Sequence, residues 1–164
     1  MKEYIYIGKV SNTHGIKGEI RIQSDFLRKE LVFKKEFHLY FGKNKQEEQI
    51  NTYRVHKNYD MVTLFGIDNI NDVLKYKGQP VYIKREDLNL KDGEYLLEDL
   101  IEFKIVDEKK VLGIVKDFMY NNGNILLEVL GEKKFYIPYQ KTFIKNVDLI
   151  KKEIHVQNTE GLIL

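Results

Sequence analysis

The sequence predicts an all-β protein made of two small β-barrels, with one short helix in the first barrel. Two observations support this prediction. Apolar and polar residues alternate in short runs that are rich in Val, Ile, Tyr and Phe, which is typical of β-strands. Stretches rich in Gly, Asn and Asp separate these runs at short intervals, as in antiparallel barrels and sandwiches.

The first half of the chain predicts six strands and one helix. The strand candidates are YIYIGKV, GEIRIQ, EFHLYF, QINTYRVHK, YDMVTLFGI and PVYIKR. Asn69 is a favourable N-cap for a helix, and Gly78-Gln79-Pro80 would end it. The residues predicted to form the buried face of this helix are Ile70, Val73 and Leu74.

A charged segment divides the chain. Residues 84–94 hold seven charged positions and one glycine, with only Leu88 and Leu90 apolar. We therefore predict a first domain over residues 1–84, a linker over residues 85–94 and a second domain over residues 95–164.

The strand pattern resumes in the second half, where the candidates are LIEFKIVD, VLGIVKDFMY, NILLEVL, KFYIPY and EIHVQN. NNGN at 121–124 predicts a hairpin turn, because Asn and Gly accept a positive φ. Pro138 predicts a strand edge or a bulge, because proline cannot donate to a ladder. The segment KTFIKNVDL at 141–149 is ambiguous and is compatible with a short helical turn.

Composition excludes several classes of protein. The absence of cysteine excludes disulfides and thiolate chemistry and favours a cytoplasmic location. No apolar run approaches the about 20 residues of a membrane-spanning helix. The N-terminal MKEYIYIGKV alternates polar and apolar residues, unlike a signal peptide.

Charge is distributed unevenly between the two halves. Residues 1–87 carry 16 Lys and Arg against 12 Asp and Glu, whereas residues 88–164 carry 11 against 13. A basic half suits phosphates and a slightly acidic half suits a basic protein. A solvated surface with a chance asymmetry explains the same numbers, so charge alone leaves both interpretations open.

The sequence contains no grouping of residues that indicates catalysis or metal binding. Neither Ser11 nor Ser24 lies in a nucleophile turn. The adjacent pair Glu98-Asp99 would point to opposite faces of a strand. The four histidines lack metal-ligand spacing: His14, His38, His56 and His155. We expect neither an enzyme nor a metal site.

The stretch SNTHGIKGEIRI at 11–22 combines a glycine turn with basic residues. A P-loop would end in Lys-Ser/Thr and open a helix, whereas a strand follows here. Lys17, Glu19 and Arg21 alternate and are predicted to share one strand face. The residues that we predict to bind a nucleic-acid backbone are Lys9, His14, Lys17 and Arg21. A barrel corner with solvated charges remains the alternative.

Aromatic residues allow two interpretations. Tyr and Phe together make 20 of the 164 residues. The opening YIYIG could line a platform for base stacking. Alternating aromatic residues in strands are more often part of core and cross-strand packing, so we favour packing.

Several stretches resemble the ribosome maturation factor RimM family. IGKVSNTHGIKGEIRI resembles the opening signature of that family, in which His-Gly-Ile/Leu-Lys-Gly-Glu precedes a strand. The resemblance covers nearly the whole chain, with similar stretches following in order: SDF, LFGIDNINDVLKYKGQPVYI, DGEYLLEDLI, LGIVKDF, FYIPY, FIKNVDL and EGLI.

The resemblance implies both a fold and a function. It implies an N-terminal six-stranded barrel similar to translation-factor barrels, followed by a PRC-barrel domain. It also implies a monomeric, non-enzymatic assembly chaperone without cofactor. Such a protein binds the immature 30S head through small-subunit ribosomal protein nineteen and 16S rRNA, and assists 16S rRNA processing. The residues that we expect to contact the protein partner are Tyr95, Leu96, Asp99 and Leu100.

Two positions depart from the family pattern. Leu96 follows Tyr95 where the family has a second aromatic residue, and Glu102 stands where the family has glycine. The glutamate puts a tight turn at that position in doubt. Because similar barrels occur elsewhere, the alternative function is a two-barrel binding module of another translation or redox system.

Overall fold

The computed structural model describes residues 3–163, so Met1, Lys2 and Leu164 lie outside the described part. The chain divides into two compact units, Met1–Leu90 and Lys91–Leu164. The division falls inside the charged segment 85–94. The first unit extends past the predicted end at residue 84, because Arg85–Leu88 form a 3-10 turn in which Leu88 is buried.

The first unit is a closed antiparallel barrel of six strands in the order β1-β2-β5-β4-β3-β6. In β2, Ile20 and Ile22 are fully buried while Arg21 between them is not, as the alternating sequence predicts. The barrel strands are β1 Tyr4–His14, β2 Glu19–Gln23, β3 His38–Phe41, β4 Gln46–His56, β5 Tyr59–Leu64 and β6 Pro80–Lys84.

Two consecutive 3-10 turns stand where the sequence predicts one helix, Ile70–Asp72 and Leu74–Tyr76. Asn69 caps the first turn as expected, because its side chain accepts a hydrogen bond from the Asn71 N–H at 2.8 Å. Val73 is fully buried, but Leu74 is 49% exposed and Tyr76 takes the second buried position. The tighter period of 3-10 turns explains why the predicted helical spacing fails at Leu74.

The second unit contains one six-stranded sheet in the order β10-β9-β8-β7-β12-β11. Neighbouring strands are antiparallel except β7 and β12, which are parallel. Its apolar core includes Leu100, Ile105, Val129 and Ile154. The strands are β7 Lys104–Asp107, β8 Lys110–Asn121, β9 Asn124–Leu130, β10 Lys134–Pro138, β11 Ile144–Asp148 and β12 Glu153–Val156.

Turn chemistry in the second unit agrees with the sequence in most places. Asn122 and Gly123 have φ values of 50° and 81° and join β8 to β9 in the predicted hairpin. Pro138 ends the edge strand β10. The tight turn at Glu102 is retained, with a φ of 73°. The ambiguous segment 141–149 forms one helical turn, closed by the Ile144 N–H bond to the Gln140 carbonyl at 2.8 Å, and then continues as β11.

All-β architecture is therefore confirmed. The helical segments among residues 3–163 are 3-10 turns of three or four residues, and none of them has the length that a membrane span requires.

Candidate functional site

Basic residues gather on the outer face of the first barrel. Arg21 pairs with Met61 across β2 and β5, and Met61 pairs with Arg54 across β5 and β4. Directly paired residues of antiparallel strands share one face of the sheet, so Arg21 and Arg54 lie on the same face. We call this surface the basic face and define it by His14, Arg21, Arg54, His56 and Lys57.

Glu19 lies among these cations and is bound by one of them. The Arg54 guanidinium donates to both carboxylate oxygens of Glu19, with Nε–Oε2 at 2.9 Å and Nη2–Oε1 at 2.7 Å. This hydrogen bonding is the main reason that the pKa of Glu19 is lowered, although partial burial opposes it. The Arg54 guanidinium is therefore largely occupied by Glu19.

The two histidines of the basic face are neighbours. The ring centroids of His14 and His56 lie 5.7 Å apart. The pKa of His56 is lowered, first by desolvation and then by the positive charges of Arg54, Lys57, His14 and Arg21. Arg54, Lys57 and Arg21 therefore all lie near enough to His56 to act on its imidazole.

Arg21 is held by an aromatic ring. Its guanidinium carbon lies 4.9 Å from the ring centroid of Tyr59. Its Nε is buried and has no hydrogen-bond partner among residues 3–163. Stacking on Tyr59 fixes the plane of the guanidinium without neutralising its charge, an arrangement that suits contact with phosphate.

Lys9 and Lys17 are exposed on either side of this region. Lys9 lies in β1 opposite Gln23. Lys17 lies in the turn before β2, which begins at Glu19, so it does not share a strand face with Arg21 as predicted. Within the described part of the chain, no carboxylate forms an ion pair with Lys9, Lys17 or Arg21.

The glycine turn that carries Lys17 is held in place by the backbone. Gly15 has a φ of 71°, a left-handed value that glycine adopts at no steric cost. The Ile70 N–H donates to the Ile16 carbonyl at 2.9 Å and ties the turn to the adjacent 3-10 segment. A Cβ on Gly18 would approach the Asn69 carbonyl oxygen to 3.2 Å. The turn is therefore a fixed corner that presents an exposed lysine.

Sequence reasoning missed Arg54, His56 and Tyr59 as parts of this surface. Arg54 and His56 alternate in β4, which signals a shared face. The signal was insufficient, because β5 lies between β2 and β4 in the barrel and this strand order cannot be read from the chain order.

Tyr95 is the most accessible of the apolar residues predicted to contact a protein partner. It is half-buried, packs against the core of the second unit and makes a hydroxyl–hydroxyl hydrogen bond with Tyr139. The pKa of Tyr139 is raised, first by burial and then by this bond. The bond fixes the ring of Tyr95 while part of its surface stays open.

Two of the four predicted partner residues are buried. Leu96 is 4% exposed, and Leu100 is fully buried in the core of the second unit. In this structure neither side chain offers a surface to a partner, because the 3-10 turn Leu97–Leu100 directs Leu100 inward.

Asp99 stabilises the same turn. Its carboxylate accepts a hydrogen bond from the Leu96 N–H at 2.9 Å, and its own N–H donates to the Leu96 carbonyl at 2.9 Å. This reciprocal arrangement closes the first turn. Asp99 therefore holds the segment that carries Tyr95.

Metal binding finds no support in the described residues. No group of three His, Asp or Glu side chains between residues 3 and 163 is arranged to hold an ion.

Family models match both units of the chain. The RimM N-terminal domain matches residues 5–88, and the RimM PRC barrel domain matches residues 97–162. A ribosome maturation factor RimM of Staphylococcus haemolyticus is 35% identical over 164 residues, covering 97% of this chain and 98% of the relative. Another, from an Exiguobacterium species, is 34% identical over 167 residues, covering 98% and 97%.

A solved structure of a RimM protein from Pseudomonas aeruginosa is 20% identical, with a TM-score of 0.47 and coverage of 94% of this chain and 96% of that one. The two domain matches and the full-length relatives show the second unit to be a PRC barrel domain and establish that this chain belongs to the ribosome maturation factor RimM family.

Proposed function

We propose that this chain is a ribosome maturation factor, acting in the cytoplasm as a monomeric, non-enzymatic chaperone for assembly of the 30S head. The observation that carries the proposal is family membership along nearly the whole chain, with relatives named as ribosome maturation factors. It favours this function over a binding module of another translation or redox system, because both units match domains of one family in the expected order.

The first unit is proposed to contact 16S rRNA. Lys9 and Lys17 are exposed and unpaired within the described residues, and Arg21 keeps its charge while stacked on Tyr59. His14 adjoins them at the end of β1. Cations of this kind bind phosphates without reading sequence, so they position the protein on RNA.

The second unit is proposed to contact small-subunit ribosomal protein nineteen. Tyr95 supplies a ring held by Tyr139, and aromatic residues are frequent anchors at protein interfaces. Asp99 closes the turn behind it, and Leu96 and Leu100 support it from the interior. The 11 Lys and Arg against 13 Asp and Glu of residues 88–164 suit a basic partner.

Chaperone action follows from differential affinity. A factor that binds an unfinished head more tightly than a finished one stabilises the unfinished arrangement until native contacts compete. Holding a protein and an rRNA segment together raises their effective concentration, which assists both head assembly and 16S rRNA processing.

A pair of binding measurements tests the division of labour between the units. Lys17→Glu combined with Arg21→Gln should weaken binding to 16S rRNA fragments and reduce its salt dependence. The same variant should capture isolated protein nineteen as well as the unmodified chain does. Tyr95→Ala should show the opposite pattern.

Lys109→Glu is the matched control, because Lys109 is exposed in a turn of the second unit. It should leave RNA affinity unchanged. Equal loss of both partners in the Lys17→Glu/Arg21→Gln variant, or loss of neither, would contradict the proposed division.

A further inference from the structure

Four tyrosines cover another part of the outer face of the first barrel. Tyr6 pairs with Tyr82 across β1 and β6, and Tyr82 pairs with Tyr40 across β6 and β3, so the three form one row. Tyr4 lies edge-on to Tyr40, with ring centroids 5.4 Å apart, and Tyr6 lies edge-on to Tyr82 at 5.9 Å. We call Tyr4, Tyr6, Tyr40 and Tyr82 the tyrosine surface.

Exposure differs sharply along this row. Tyr40 is 5% exposed, whereas Tyr6 is 58% exposed. A ring that only served packing would be covered by its neighbours, as Tyr40 is. Tyr6 packs edge-on against Tyr82 across the strands, as favoured from the sequence, and still leaves most of its surface to solvent.

Two lysines lie against these rings. The Lys45 Nζ is 4.1 Å from the ring centroid of Tyr82 and 5.6 Å from that of Tyr4. The Lys84 Nζ is 5.3 Å from the Tyr40 ring and 5.8 Å from the Tyr4 ring. These cation–π contacts hold two ammonium groups at the tyrosine surface rather than leaving them on free side chains.

Two carboxylates border the same surface, Glu47 and Asp87. Glu47 lies 2.8 Å from the His38 Nδ1 and accepts a hydrogen bond from the Tyr40 hydroxyl at 3.4 Å. The pKa of Tyr40 is raised to about 12, first by desolvation and then by Glu47 and Asp87. The Tyr40 hydroxyl therefore stays neutral, and the Glu47 carboxylate is occupied by His38 and Tyr40.

The tyrosine surface continues into the rRNA-contacting residues. Lys9 pairs with Pro80, two residues along β6 from Tyr82, and with Gln23 of β2 on its other side. Lys9 thus stands between the tyrosine surface and Arg21. A strand of RNA whose phosphates meet Lys9 would have the tyrosine rings next to it.

We propose that the tyrosine surface binds unstacked bases of single-stranded RNA, with Tyr6 as the stacking ring and Lys45 and Lys84 beside the phosphates. Exposed aromatic rings with fixed cations are the combination by which proteins hold single strands. The inference rests on the proposed function, to which it adds a second RNA contact and the state of the RNA recognised there. Bases are unpaired in an unfinished rRNA segment, and they are withdrawn once the segment folds.

The test compares two RNA strands of about 12 nucleotides, one of adenosines and one abasic with the same backbone. Fluorescence anisotropy of the full chain with each strand separates base binding from phosphate binding. The unmodified chain should prefer the adenosine strand, and Tyr6→Ala should reduce that preference about tenfold. Tyr6→Phe should retain it, because the stacking ring remains.

Tyr136→Ala is the matched control, since Tyr136 is a partly exposed tyrosine of the second unit. It should leave the preference intact. Equal affinity of the unmodified chain for both strands, or an unchanged preference in Tyr6→Ala, overturns the inference. A role of Tyr6 in protein binding would also overturn the inference. That role would be recognised if Tyr6→Ala weakened capture of protein nineteen without altering RNA affinity.

The inference and the proposed function can be contradicted independently of each other. If Lys17→Glu/Arg21→Gln loses rRNA binding while Tyr6→Ala keeps its base preference unchanged, the inference is wrong and the proposed function stands. If neither variant alters RNA binding, both the inference and the 16S rRNA contact proposed for the first unit are wrong.

Discussion

The backbone N–H of Glu102 donates to the carbonyl oxygen of Val115 at 2.8 Å, while Glu102 itself has a φ of 73°. The bond joins the end of the turn Leu97–Leu100 to β8. A left-handed backbone is costly for residues with a Cβ, which explains why the family resemblance implies glycine here. The turn therefore persists with a glutamate, and an ion pair between Lys116 and Glu102 at 3.2 Å covers its exposed side.

We predict opposite effects for two substitutions at Glu102. Glu102→Gly should preserve the free energy of unfolding or raise it, because the left-handed backbone becomes unstrained. Glu102→Val should lower it by about 1–2 kcal/mol, since a β-branched residue tolerates positive φ poorly. Urea denaturation of the full chain measures both, and equal stabilities would contradict the left-handed conformation.

Gly131 should resist replacement by alanine. A Cβ at Gly131 would lie 2.1 Å from the Leu112 carbonyl oxygen. Backbone must move to relieve such a contact, so Gly131→Ala should cost about 2 kcal/mol. Gly161→Ala is the control, because a Cβ there meets nothing within 4 Å. Two unchanged melting temperatures would show that β8 and the chain after β9 approach less closely than described.

Titration of Glu19 should make the stability of the folded protein depend on pH. Its pKa is lowered in the folded protein, chiefly by Arg54, so its contribution is complete above its ordinary value of 4.5 and is lost as pH falls through the lowered value. Glu19→Gln removes this titration. The unmodified chain should therefore lose more stability than Glu19→Gln between neutral pH and strongly acidic pH.

The control for this prediction is Glu132→Gln, at an exposed glutamate of the second unit. Its unfolding curves should follow those of the unmodified chain across the pH series. If the unfolding curves of Glu19→Gln also follow those of the unmodified chain, the bond between Arg54 and Glu19 does not stabilise the folded state.

The hydroxyl groups of Tyr95 and Tyr139 should act as a pair. Each single change, Tyr95→Phe or Tyr139→Phe, removes one hydroxyl and leaves the other without this partner, at a cost of about 1 kcal/mol. The double variant should cost less than the two single costs added together. A double-mutant cycle measured by urea denaturation tests the coupling, and additive costs would refute it.

The alternation of apolar and polar residues made the strands predictable. The contacts between strands that are distant in the sequence were not predictable. Ile20 and Ile22 reveal the inner face of β2 from sequence alone. Nothing in the chain order indicates that β5 separates β2 from β4, so the bond between Glu19 and Arg54 could not be foreseen.

The burial of individual candidate residues was not predictable from the sequence. Leu100 lies in a 3-10 turn and points inward, although its segment resembles a binding motif. Tyr6 packs edge-on against Tyr82, as its alternation predicts, and is nevertheless 58% exposed. Side-chain burial depends on neighbouring strands, and these come from distant parts of the sequence.

Co-sedimentation with immature and mature small subunits, each at low and high salt, tests the central claim most directly. Preferential binding to an unfinished head predicts that the full chain sediments with immature particles, less so at high salt, and far less with mature ones. Equal binding to immature and mature particles would contradict the account.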